Sequence, residues 1–470
     1  MSFLELWQLR AEFARRLSVM YGEEVPAYNT LVEVSTEVNE DFLRRKGAEA
    51  ERLGSIARVT AERHGAIRVG SAKEMAQVAH VFAGFGMHPV GFYDLRDASK
   101  SSVPVVSTAF RPVDRDELAR NPFRVFTSML AADDPRFFTE ELQERLREFI
   151  GARTLFPDEL LELADKSASN AGLDETDGTR LLDLSTAAFK LSDDPVDKAW
   201  YRKLEAVSAV AADIGGVTTT HINHLTPRVL DIDDLYARME ASGITMIDEI
   251  QGPPRWDGPD ILLRQTSFRA LAEERTFRFE DGTVAPGALR VRFGEVEQRG
   301  IALTPAGRGL YDRMAAETDR RLAAGEGHGV RVDVARGVWE ESLPRTEKEL
   351  ALKKLAYFTY AVDDDALAAH YGGSLQGRTV SLDVLIENGV ALLEPIVYED
   401  FLPRSAAGIF QSNLTDEGTR DDAQTGTDVD ISMMSQIVGR TVADPNELYQ
   451  RQQADSVRAL GEVLGSDVTS

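Results

Sequence analysis

The sequence predicts an α+β fold in which two β-α-β-β-β modules, residues 61–130 and 217–303, form a curved sheet flanked by helical segments. Three observations predict it. Short β-branched stretches bounded by glycine or proline alternate with longer stretches of helical apolar spacing. The same element order occurs twice. The two occurrences also align by number: His64 precedes the helix-capping Ser71 by seven residues, and His224 precedes the capping Asp231 by seven. Thr108-Ala-Phe-Arg111 begins 44 residues after His64, and Thr266-Ser-Phe-Arg269 begins 42 after His224, so a loop two residues shorter accounts for the difference.

Residues 1–60 place Phe3, Leu4, Trp7, Leu9, Phe13 and Leu17 at spacings of three and four, with Pro26 breaking the run, and read as a helical cover. RHGAIRVG (63–70) opens the first module as a strand. Ser71-Ala-Lys-Glu74 is a capping box that starts a helix running to about Gly86. Strands follow at 88–95, 102–113 and 123–130. Residues 131–216 turn helical and read as an insertion. The second module has THINHLTPR (220–228), a helix capped by Asp231 and ending near Gly243, and strands at 244–250, 260–271 and 288–300. Residues 304–470 are a mixed α/β segment. In both TxFR stretches the expected arrangement is Phe toward the core and Arg toward solvent.

Length and composition narrow the function. At 470 residues the chain is about three times the ~150-residue domain prior, and it can bury a large core. Its 53 Lys+Arg against 78 Asp+Glu give a net charge of -25, which repels polyphosphate and anionic lipid, so neither nucleic acid nor membrane is an expected partner. No apolar run is long enough to span a bilayer. The N-terminus carries Glu5, Arg10 and Glu12 within its apolar pattern, unlike a signal peptide, and a cytoplasmic location is expected. Cysteine is absent, which removes disulfides, thiolate metal sites and a cysteine nucleophile; any metal must use His and carboxylate.

Of the seven histidines, His80, His88, His328 and His370 have ordinary structural readings on a helix, before a proline or beside glycines. His64 differs. It begins a strand on which His64, Ala66 and Arg68 share a face, since side chains alternate at period two. The repeat puts His224 on the matching strand of the second module, and Glu295 on that module's last strand. Two His and one carboxylate from three strands form a facial triad. Such a triad holds a divalent first-row metal and leaves positions open for a bidentate 2-oxo acid and O2, as non-haem Fe(II) requires, with zinc the alternative occupant. His221 competes with His224 within HINH, although only His224 keeps the seven-residue offset. Glu297 competes with Glu295 on the same strand face, and Gly294 before Glu295 suggests close backbone approach. Arg68 offers a bidentate fork for a carboxylate. Arg404 and Ser405, in the small-residue segment LPRSAAGIF, offer backbone and hydroxyl groups that could close a site.

RHGAIRVG, GFYDL, STAFRP, FRVFTSML, HINHLTPR, RQTSF, RFGEVEQRGIALTPAGRGLYD and VYEDFLPRSAAGIFQSNL together resemble the 2-oxoadipate dioxygenase/decarboxylase family, from about Tyr21 to about Tyr449. The resemblance implies a vicinal-oxygen-chelate-like core and Fe(II) held by two His and one Glu. It also implies conversion of 2-oxoadipate and O2 to D-2-hydroxyglutarate and CO2 in lysine breakdown. The family's metal ligands then fall on His64, His224 and Glu295, its substrate-carboxylate arginine on Arg68, and its closing segment on Arg404 and Ser405. At 404 this chain has Arg where the family has a small apolar residue. The expected partners are thus a small 2-oxo dicarboxylic acid and O2, with the oligomeric state open. Two other classes fit the same residues: a zinc or Mn(II) lyase or isomerase of the glyoxalase type, and a non-catalytic 2-oxo-acid-binding module.

Overall fold

A computed structural model describes residues 2–97, 103–289, 292–325, 330–403, 405, 409, 413, 419–420 and 424–469. Seven strands frame the site: β1 (Arg63–Val69), β2 (His88–Asp94), β3 (Val105–Arg111), β4 (Arg124–Leu130), β5 (His224–Pro227), β6 (Leu263–Ser267) and β7 (Glu295–Arg299). The first five make one sheet in the order β2-β3-β4-β1-β5, with β1 and β4 parallel and the other pairs antiparallel. β6 and β7 pair antiparallel. A bridge from Arg228 to Glu297, with Val229 N–H donating to the Glu297 carbonyl at 2.8 Å, carries β5 on to β7 and bends the whole into one curved surface. The architecture is α+β.

Period-two alternation splits this surface. Ile67 and Val69 of β1, Val125 and Met129 of β4, and Val106 and Phe110 of β3 join a core with the N-terminal helices Leu6–Glu24 and Ala27–Lys46 and the helix Ala72–Ala83. Ala66, Ala109 and Phe126 face the other way, into a second core with the helices Lys198–Glu205 and Ala209–Gly215. Both module helices start from the expected caps, Ser71 accepting from the Glu74 N–H and Asp231 from the Asp234 N–H. A third core gathers the C-terminal helices and strands around Trp339, Phe358 and Leu385. Among the described residues no helix is long and apolar enough to cross a membrane.

Three expectations are corrected. Residues 244–250 are not a strand; only Met246 and Gln251 make single bridges, to Phe268 and Gln265. Gly252-Pro253-Pro254 follows at once, and proline has no N–H to extend a ladder. The stretch 288–300 is not one strand either. Val284–Leu289 pairs with Glu273–Arg278 in a hairpin with Asp281-Gly282 in its turn, and β7 starts afresh after Gly294. A Cβ at Gly294 would lie 1.9 Å from the Phe268 ring, so that close approach ends the run. Finally, Arg111 does not face solvent. It is 1% exposed and grips Asp400 through Nε and Nη2 at 2.9 and 3.1 Å, whereas Arg269 pairs with Asp248 at the surface.

Candidate metal centre

β1 turns His64, Ala66 and Arg68 to the concave face of the sheet. β5 runs antiparallel beside it with His224 opposite Ala66, so the imidazoles of His64 and His224 are diagonal neighbours, their ring centroids 5.5 Å apart at 85°. β7 brings Glu295 against both. The Glu295 Oε1 atom lies 3.6 Å from His64 Nε2, and its Oε2 lies 3.3 Å from His224 Nε2. One donor atom from each residue falls within a 4.8 Å cluster, and all three residues are buried.

The surroundings are dry. The small cavity at the triad is lined by Phe126, Phe401, Ile409 and Gln265 as well as the three donors. Phe401 packs on His64 with centroids 5.0 Å apart, and Phe293 on His224 at 5.3 Å. Burial pushes Glu295 above the ordinary carboxylate range against the pull of His64. Burial, with His64 and Arg68 close by, holds His224 well below the usual imidazole value, which favours the neutral ring. A neutral imidazole keeps the lone pair that a metal needs.

Glu297 stands behind His64. Its Oε2 is 2.9 Å from His64 Nδ1, though off the line of a well-aimed hydrogen bond. Arg299 donates to it from Nε and Nη2 at 2.7 and 2.8 Å, and Arg124 from Nη1 at 3.3 Å. Against the upward push of burial, Arg299, His64 and Arg124 hold Glu297 down to about 2. Glu297 is therefore one carboxylate of a buried ion network. Glu62 takes Arg124 at 2.8 Å and Arg228 at 2.9 Å, while Glu399 binds Arg124 and Arg58.

The other predicted residues fall as follows. His221 lies beside Asp213, 3.3 Å from Nε2 to Oδ1, away from the triad. Arg68 is on the triad's face, with Nη1 donating to Asp213, which also accepts from Asn223 Nδ2 at 2.8 Å. Ser405 is buried, between cavity-lining Phe401 and Ile409 in sequence. Arg404 and His328 lie outside the described residues. His80 pairs with exposed Asp165.

Sequence reasoning missed Gln265, Asp213, Phe126 and Phe401. The first had a signal. In RQTSF, Gln265 and Ser267 share the face on which the antiparallel β7 sets Glu295 and Glu297. The stretch from Tyr398 to Phe401 is pinned from several sides: Arg299 Nη1 donates to the Tyr398 and Asp400 carbonyls at 2.7 and 3.0 Å, and Tyr449 donates to Asp400.

The donor set suits a divalent ion. Two imidazole nitrogens and one carboxylate converge in a water-poor cavity, with the neutral form favoured in one ring and the other backed by a carboxylate, the usual partner of a metal-bound histidine.

Comparison with known proteins gives a consistent match. The family model described as 2-oxoadipate dioxygenase/decarboxylase covers residues 13–413. The 2-oxoadipate dioxygenase/decarboxylase of Mycobacterium tuberculosis is 53% identical over 446 residues, 95% of this chain and 96% of that one. That of Pseudomonas putida is 40% identical over 465 residues, 97% of each. The crystal structure of the hydroxyglutarate synthase from Pseudomonas putida in complex with 2-oxoadipate superposes with a TM-score of 0.83 at 38% identity, covering 99% of both chains.

Proposed function

This chain belongs to the 2-oxoadipate dioxygenase/decarboxylase family, and on that footing we propose that it is an Fe(II)-dependent enzyme converting 2-oxoadipate and O2 to D-2-hydroxyglutarate and CO2, a step of lysine breakdown. The observation that carries the reading is the convergence of His64, His224 and Glu295 from three strands into one buried cluster.

These three residues would hold the metal, and bound there Fe(II) supplies a Lewis-acidic, O2-reactive centre with positions left for substrate. The rest of the work belongs to the chain. Glu297, fixed by Arg299 and Arg124, keeps His64 turned with Nε2 toward Glu295. Phe126, Phe401 and Ile409 exclude water, so competing hydrolysis and stray proton transfer are suppressed. Arg68 orients a substrate carboxylate by charge and fork geometry, and Asp213 holds the guanidinium in place. Ser405 and the backbone near Arg404 secure the substrate from the closing segment. In the reaction the C1–C2 bond of the 2-oxo acid breaks and C1 leaves as CO2. Both atoms of O2 end in the shortened 2-hydroxy diacid. The balance calls for no protein base.

The test is O2 consumption by chelator-cleaned protein reconstituted with Fe(II), given 2-oxoadipate or 2-oxoglutarate, with a Zn(II) control. Uptake with 2-oxoadipate matched by CO2 and 2-hydroxyglutarate is expected. Absence of uptake with any 2-oxo acid would overturn the reading in favour of an O2-independent lyase or a binding module.

A further inference from the structure

Gln265 has no counterpart in the triad, yet it touches the triad directly. Its side chain is 3% exposed and lines the same cavity. The amide Nε2 donates to Glu295 Oε1. The amide orientation follows from chemistry, because a carboxylate accepts and the amide oxygen cannot donate to it. The reach follows from register: Gln265 is opposite Glu297 on the antiparallel β6, and the diagonal neighbour on the same face is Glu295. The backbone is held rigidly, with Gln265 N–H donating to the Gln251 carbonyl at 2.9 Å and Gln251 N–H returning a bond at 2.7 Å.

Stability alone does not account for a glutamine here. The other walls are Phe126, Phe401 and Ile409, and a methionine or leucine would fill the space without burying an amide. What the amide adds is a bond to one carboxylate oxygen. With Oε1 engaged, Oε2 is the oxygen left nearest His224, at 3.3 Å from Nε2.

We propose that Gln265 is a positioning residue that holds Glu295 to a single metal-facing oxygen, so that the carboxylate does not take the second position a chelating 2-oxo acid needs. This rests on the metal-dependent reading above. Glutamine acts here through Glu295 and touches no reacting atom.

The test compares Gln265→Met, which keeps the volume and removes the donor, with Gln265→Glu, which sets a second carboxylate against Glu295. Fe(II) is titrated anaerobically into each metal-free protein by calorimetry, 2-oxoadipate is then titrated into each loaded protein, and melting of the metal-free forms is recorded. Both variants are expected to melt as cooperative folded proteins. Gln265→Met should weaken binding of 2-oxoadipate to the Fe(II)-loaded protein by about 10-fold or more without weakening Fe(II) binding, and Gln265→Glu should weaken 2-oxoadipate binding further. Wild-type binding of 2-oxoadipate in Fe(II)-loaded Gln265→Met would overturn the proposal and reduce Gln265 to a space-filler. If Gln265→Met does not fold, the same readings on Gln265→Glu decide. A wild-type protein that binds no Fe(II) would instead overturn the metal-dependent reading itself.

Discussion

Glu295 and Glu297 are two residues apart on one face of β7, and the structure gives them opposite surroundings. Glu295 has two imidazoles and an amide around it and, among the described residues, no ion pair with an arginine. Glu297 is held by two arginines. Replacing each by Gln should therefore separate metal binding from folding. Glu295→Gln is expected to lose Fe(II) while the metal-free protein melts within a few degrees of wild type. Glu297→Gln leaves Arg299 and Arg124 short of a buried counter-charge and is expected to cost about 3–5 kcal/mol in denaturant unfolding. The reverse pattern would make Glu297 the ligand. Period two puts both glutamates on one face, so the sequence held the pair without separating its members. What separates them is the arginine content of β4 and the end of β7, which no local pattern reports. The histidines follow the same logic. The cap offset singles out His224, and the partner that draws His221 aside is Asp213, in the helix Ala209–Gly215.

At the scale of elements, the triad depends on segments that meet only in the folded chain. Arg124 on β4, Glu62 before β1, Arg228 after β5, Glu399 beside Asp400 and Glu297 on β7 share one buried ion network. Burial works to raise Glu399, and Arg58 with Arg124 overcomes it and keeps this carboxylate below its ordinary value of 4.5. A carboxylate whose folded value is depressed adds stability that is complete above the unfolded value and lost as pH falls through the folded one. Stability is thus expected to be insensitive to Glu399 titration near neutrality and to decline below about pH 4.5. Glu399→Gln should flatten that acid decline while lowering stability at pH 7. An unchanged slope from pH 5 to 3 in guanidinium unfolding would contradict the assignment. β1 and β4 were legible because each carries β-branched residues, Ile67 and Val69 in the one and Val125 and Thr127 in the other. The burial of Arg111 was not, since its partner Asp400 is 289 positions away. The strand expected at 244–250 failed for a local reason that was in view, the Gly-Pro-Pro that follows it.

For the whole molecule, β1, β5 and β7 supply the donors, and Phe401 and Ile409 from the C-terminal part of the chain line the cavity beside them. The N-terminal helices pack on one face of the sheet and the helices Lys198–Glu205 and Ala209–Gly215 on the other, and the triad is buried. The matched cap offsets pointed to His64 and His224, which the structure brings together, but the doubled element order does not hold in full, since the strand expected at 244–250 is absent. The hairpin Glu273–Arg278 with Val284–Leu289 escaped because its first strand is mostly polar, its second is interrupted by Pro286-Gly287 and both are half exposed, and only Asp281-Gly282 marked the turn. The central claim is that a 2-oxo acid is oxidised at this centre with both oxygen atoms retained. The most direct measurement is turnover of 2-oxoadipate by the Fe(II)-loaded enzyme under 18O2, with mass analysis of both products. The account predicts 2-hydroxyglutarate carrying two labelled oxygens and unlabelled CO2, and neither product from the Glu295→Gln variant. A 2-hydroxy acid with one label or none would contradict it.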